Sequence, residues 1–309
     1  MNANNADYCT AVGYNALAVN TTGAQNVAVG YNVLDANTTG LYNTAIGSWA
    51  MSASTTGNYN TAVGRSALIS NTTAHDNTAV GAWALDANTT GNQNVGIGVS
   101  AISASSGSSN NVAVGFRALA VQSTGDDNTA IGYIAAAAVT TGASNVIIGS
   151  AAGDGLTTGS HNVAIGRLAL SGATDASYNT AIGSQALEAN TTGSKCTAVG
   201  YEALTSNTTG TDCTAVGYQA LRVSDASNNT AVGDRSLTEN TTGTANTGIG
   251  RYALNANSTG ANNTAVGYMA LDTNTTGDAN TGIGVEAVSY THLRAHETRH
   301  DLVCRLLLE

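Results

Sequence analysis

Along this chain one pattern of apolar and polar positions recurs with almost no variation. A Val or Ile followed by Gly stands at Gly13, Gly30, Gly47, Gly64, Gly81, Gly98, Gly115, Gly132, Gly149, Gly166, Gly183, Gly200 and Gly217, each 17 residues after the last. One step of 16 leads to Gly233, and the 17-residue spacing resumes at Gly250, Gly267 and Gly284. The seventeen copies share the consensus N-T-A-V-G-Y-x-A-L-x-A-N-T-T-G-x-x. A fixed period without insertions means one supersecondary unit stacked on itself.

Each column of the repeat carries a structural expectation. The residue before the glycine is always Val or Ile, as in Val29, Ile46, Val63 and Val80, and such exclusive β-branching predicts a buried strand position. Two places before the glycine stands Ala or Gly, with Ile147 the one exception. Three places before it stands Thr or Val, two residues of one shape that differ by a hydroxyl, which predicts a partly wetted site. Four places before it is Asn in fourteen copies, among them Asn26, Asn43, Asn60, Asn77 and Asn94, and Cys in Cys9, Cys196 and Cys213. Asn stacked on Asn predicts an amide ladder. After the glycine come a near-invariant Ala and usually a Leu, such as Leu34, Leu68 and Leu85, then the turn motif N-T-T-G. The short segment holding that Leu fits either a strand or one helical turn.

Stacked in register, these units predict an all-β fold, a parallel β-solenoid or β-roll of about seventeen 17-residue coils over residues 1–287. At the ordinary strand spacing the rod is about 80 Å long. The strict Ala and Gly columns imply a close approach, either by a second copy of the chain or inside one coil, and from them we infer an oligomer. Between Gly98 and Ala176 the turn motif degrades, and Ala136 and Gly153 replace the core Leu, so this stretch is expected to be the weakest.

Composition narrows the function classes. There are 36 Gly, no Pro and only 10% charged residues, a profile unlike an ordinary enzyme. The 42% of hydrophobic residues on a strict spacing argues against disorder. With a net charge of −10 and few Lys or Arg, the chain has no basis for gripping phosphate backbones, so nucleic acid is not an expected partner. No apolar run is long enough for a membrane helix. The start at Met1-Asn2-Ala3-Asn4-Asn5 does not look like a secretory signal. The glycines belong to the repeat and lack a following Lys, which excludes a phosphate loop, and no cofactor is expected. Asn20, Asn88 and Asn207 match the N-x-[ST] acceptor pattern, but the turn itself requires Asn there. Cys196 and Cys213 share a column of adjacent coils, and their parallel register predicts free buried thiols in preference to a disulfide. Thr38-Thr39 and Thr275-Thr276 belong to a column of hydroxyls that would suit ice or a crystalline polysaccharide, the alternative reading of the chain as a monomeric surface-binding solenoid.

The segments Asn145-Val-Ile-Ile-Gly149, Asn162-Val-Ala-Ile-Gly166 and Asn111-Val-Ala-Val-Gly115 resemble the head repeat of YadA-like trimeric autotransporter adhesins and repeats of phage and bacterial tail fibres. The resemblance covers residues 9–287, although the adhesin repeat is usually shorter and its Asn lies one place further from the glycine. It implies a left-handed β-roll, a homotrimer, an extracellular, cell-surface or virion location, and a host-surface or extracellular-matrix ligand. It also implies a non-enzymatic structural or adhesive role, with binding through outward columns such as Tyr14, Tyr31, Phe116, Tyr201 and Tyr268.

After Ala287 the repeat gives way to VSYTHLRAHETRHDLVCRLLLE, residues 288–309, which looks like translated sequencing adapter. This segment contains His296-Glu297-Thr298-Arg299-His300, an HExxH match with His292 as an apparent third zinc ligand. The adapter reading makes this motif artefactual, so no metal site and no catalytic residue are expected. The chain then reads as a fragment of an environmental sequence, truncated at both ends.

Overall fold

A computed structural model of the chain describes residues 6–288. His292, His296, Glu297 and His300 lie outside the described residues. Seventeen strands of three residues each are present, from β1 (Thr10–Val12) to β17 (Thr281–Ile283), and the described residues contain no helix. Each strand pairs in parallel with the next, one repeat away, as in Thr44↔Thr61 and Ile46↔Val63. The result is a single β-solenoid, one coil per repeat.

The backbone is bonded between coils almost throughout. The Gly47 N–H donates to the Val29 carbonyl at 2.9 Å, and the Leu34 N–H to the Ala50 carbonyl at 3.2 Å. In the turn, three N–H groups converge on one oxygen. Thr21, Thr22 and Gly23 donate to the Thr38 carbonyl at 3.0, 3.1 and 3.3 Å. These bonds offset part of the entropy lost on ordering so long a chain around so thin a core.

The 16-residue step falls between β13 (Thr214–Val216) and β14 (Thr230–Val232), yet their register is unbroken, with Thr214 opposite Thr230. The shortening is absorbed in the turn. There the Asp225 carboxylate replaces the missing carbonyl and accepts the N–H groups of Thr208, Thr209 and Gly210 at 2.8, 2.7 and 3.2 Å.

Within each strand the middle residue points inward and its two neighbours point outward, as the two-residue pleat requires. Ala45 is 0% exposed whereas Ile46 is 40% exposed. The Val/Ile column is therefore not the core that its β-branching predicts. Val29, Val63 and Val80 are half-buried and, like Ile46, face outward. The core consists of the middle residue of each strand, Ala in thirteen of the seventeen, the Ala three places after the glycine, and the Leu column, including Leu34, Leu68 and Leu85. The close approach that the Ala columns imply is thus used inside each coil.

The segment after the glycine is neither strand nor helix. It is a run of turns in which two residues per coil adopt the left-handed conformation, such as Asn32 (φ 50°) and Leu34 (φ 47°). A third left-handed residue, such as Tyr42 (φ 60°), precedes each ladder Asn. The repeat glycine itself needs the absence of a Cβ. Gly30 has φ 140°, and a Cβ there would lie 3.0 Å from the Gly47 backbone.

The central coils keep this cross-section with different residues. Ile147 occupies the inward strand position in the coil where Gly153 stands for Leu, and a Cβ on Gly153 would meet its Cδ1 and Cγ2 at 3.2 Å. Val139 and Leu156 are fully buried in the turn column. Ile147 thus takes the space beside Gly153 from the strand side, while Val139 and Leu156 bury apolar side chains where other coils bury Asn.

Candidate interaction surface

The ladder asparagines are interior scaffolding. Asn26, Asn43, Asn60, Asn77 and Asn94 are all fully buried. The Asn60 Nδ2 donates to the Ala74 carbonyl at 2.8 Å, closing its own coil, and its Oδ1 accepts the Asn77 N–H at 3.0 Å, fixing the next. Each amide thus satisfies backbone groups that burial would otherwise leave orphaned. The turn asparagines are buried as well. Asn88 Nδ2 donates to the Gly91 carbonyl at 3.0 Å, so the nitrogen a glycan would need is occupied. Gly30, Gly47, Gly64 and Gly81 stack backbone on backbone beside the strands and present no side chain.

Cysteine weakens the ladder. Cys196 and Cys213 are free and buried, and their thiols donate to the carbonyls of Gly210 and Ala226 at 3.3 and 3.1 Å. The neighbouring Cys213 thiol, together with burial, pushes the Cys196 thiol up. A sulfur stands where an Asn would offer an oxygen to the N–H groups of Cys213 and Asn229, and sulfur is a weak acceptor.

Two other outward columns have part of their groups engaged between coils. The hydroxyl of the first Thr in each turn pair donates to the next coil, as Thr21 Oγ1 does to the Thr38 carbonyl at 2.8 Å and Thr38 Oγ1 to that of Thr55 at 3.1 Å. The aromatic residues after the glycine stack along the rod. Tyr14 and Tyr31 lie 5.3 Å apart at 12°, Phe116 and Tyr133 5.6 Å apart at 11°, and Tyr201 and Tyr218 5.5 Å apart at 13°. Each pair covers one face of each ring and leaves edges, hydroxyls and the other faces outward. Tyr268 is exposed in the same column. Among the described residues no three His, Cys, Asp or Glu are grouped to hold a metal, and no helix is long and apolar enough to cross a membrane.

What remains is the outward strand face. In every strand both outward residues are Thr, Val or Ile, and no strand contains a charge or an aromatic. These side chains are stiff at χ1. They form two columns about 7 Å apart, repeating every 4.8 Å or so along the rod. A strip about 80 Å long and 10 Å wide offers roughly 800 Å², the area one partner contributes to an ordinary stable interface. Sequence pattern located both columns, reading the Thr/Val column as partly wetted but assigning the Val/Ile column to the interior. The missing signal was the inward Ala, whose small size fits a thin core. No protein-family model matches the chain, and no curated protein matches it.

Proposed function

We propose that this chain is a segment of a non-enzymatic structural or adhesive fibre, the head or shaft of a surface adhesin or tail fibre, built as a homotrimer. The observation that supports it is the uncharged, wholly β-branched outward face running the length of the rod. Its Val/Ile column is an unbroken apolar line beside a column of Thr and Val, and exposed apolar surface of this extent marks association sites. A partner with the same 4.8 Å period matches it coil for coil, and another copy of the chain has that period. The left-handed winding and the trimer follow from the adhesin and tail-fibre resemblance. In this reading length and rigidity are the function, and the adhesive ligand, a host surface or extracellular matrix, meets outward columns such as Tyr201 and Tyr268 or a tip elsewhere in the fibre. Sedimentation equilibrium of the full chain tests it. A trimer at micromolar concentration is expected, and a monomeric rod overturns the proposal.

A second reading draws on the same face. In twelve strands the first outward residue is Thr, from Thr10 to Thr281, giving hydroxyl and methyl groups at the strand spacing. A single chain could lay this array against ice or a crystalline polysaccharide. The turn threonines suit that role less, since half their hydroxyls are bonded internally. A monomer that shapes ice crystals or pulls down with crystalline polysaccharide would favour this reading.

A further inference from the structure

A uniform repeat gives associating copies no axial register, because a slip by one coil loses contact only at the ends. The outward face of this chain is not uniform. Four of the five strands from β6 (Val95–Ile97) to β10 (Val163–Ile165) open with Val: Val95, Val112, Val146 and Val163. Only Val27 does so among the other twelve. In the same block the third residue is Ile in four of five strands, against four of twelve elsewhere. The block therefore presents V-x-I in three of its five strands, a pattern no other strand has, where the rest of the rod presents mostly T-x-V. Val99 and Phe116, both exposed one column over, widen the apolar patch.

Resting on the self-association proposed above, we infer that strands β6 to β10 anchor the assembly and set its register. In a closed ring of identical chains each coil meets its own counterpart. Only the in-register arrangement buries every V-x-I coil against another. Slipping by one coil sets the end of the block against a T-x-V coil and buries a hydroxyl in place of a methyl. A hydroxyl that finds no partner there is disfavoured. The occupant of the block is thus the same block in another copy.

Isosteric substitutions in the full chain test this. The set V95T/V112T/V146T/V163T removes four outward methyls from the first outward column, and V199T/V216T/V232T/V266T removes four from the third-residue column outside the block, where Val is available, with the fold of both sets checked in the same way. Thr already occupies the first outward position in twelve coils, so the first set should fold, which circular dichroism checks. By sedimentation equilibrium the central set is expected to raise the concentration for half-dissociation by about tenfold or more, and the outer set by less than about threefold. Equal weakening by both sets would overturn the anchor. No weakening by either would show that copies meet through another face and would also overturn it. A monomeric wild-type chain would overturn the fibre reading itself, and this inference with it. Val112→Cys, in a chain whose own four cysteines are replaced by Ser, gives a second readout. Cross-links between equivalent positions should form in the wild-type background and decline when the other three block valines become Thr. Unchanged cross-linking would defeat the register role.

Discussion

The coils around Leu68 and Leu85 and those around Ala136 and Gly153 build one cross-section from different residues. In the first pair the strands turn Ala62 and Ala79 inward, Leu68 and Leu85 fill the core, and Asn71 and Asn88 hold the turn. In the second, Ile147 enters from the strand, Val139 and Leu156 fill the turn, and the core positions shrink to Ala136 and Gly153. The backbone bonds hardly change. Thr72 N–H reaches the Thr89 carbonyl at 3.2 Å, and Thr140 N–H reaches that of Thr157 at 2.8 Å. The coil therefore conserves filled volume and backbone pairing, while residue identity can move from one column to another.

The largest effect is expected where that exchange is undone. Leu85 packs beneath Gly96 of the next coil, and Ala136 has the equivalent place beneath Ile147. Ile147→Ala would open a hole flanked by Ala136 and Gly153 and should cost about 2–5 kcal/mol. Adding Gly153→Leu should restore most of it. Gly153 has φ 52° and Leu68 has φ 51°, so a Leu at 153 would adopt a conformation its counterparts already hold. Hydrogen exchange of the amides between Gly132 and Ala176 checks both variants. Protection unchanged in the single variant, or unrecovered in the double, would show that volume is not what these coils trade.

The turn columns give a smaller effect of the same logic. Asn60→Ala would strip the Asn77 N–H of its buried acceptor and leave the Ala74 carbonyl only the longer bond from Asn71 Nδ2 at 3.4 Å. Each group left unpaired costs about 1–3 kcal/mol. The chain already contains a milder version of this change at Cys196 and Cys213. Cys213→Asn should therefore stabilise its coils by about 1 kcal/mol, because an amide oxygen would meet the Asn229 N–H. Thermal denaturation of the two variants beside the wild type compares them. A neutral Asn60→Ala would mean that the ladder contributes little.

The repeat, its period and its parallel stacking were legible because each rests on spacing, which a sequence displays directly. The Asn ladder was legible too, since a stacked column of amides can bond rung to rung, but its burial was not. The orientation of the strand was not. Val and Ile signal β-structure and burial together, and a face that is apolar and outward looks the same as a core. The left-handed Leu residues were also hidden, because Leu seldom adopts that conformation and nothing local marks it. Compensation at Ile147 was visible as an exception in one column and a loss in another, but their contact needed coordinates.

The smallest effect contrasts two turns by pH. Burial works against the Asp225 charge, but the N–H and hydroxyl groups of Thr208 and Thr209 and the Gly210 N–H outweigh it, holding its carboxyl below the usual range. Asp86 has no such nest, and burial raises its carboxyl above that range against weaker backbone hydrogen bonds. The signs are opposite. The Asp225 contribution is fully present above an unfolded pKa near 4 and is lost as pH falls through its lower folded value. The Asp86 charge destabilises the fold at neutral pH, and acidification through its raised folded value relieves that burden. Asp225→Asn should then lower stability at pH 7 by no more than about 1 kcal/mol, given its exposure, and the deficit should shrink toward pH 3. Asp86→Asn should raise stability at pH 7 and lose that advantage in acid. Denaturant midpoints at the two pH values decide it, and a deficit for Asp225→Asn that grew in acid would rule out the carboxylate as the turn's acceptor.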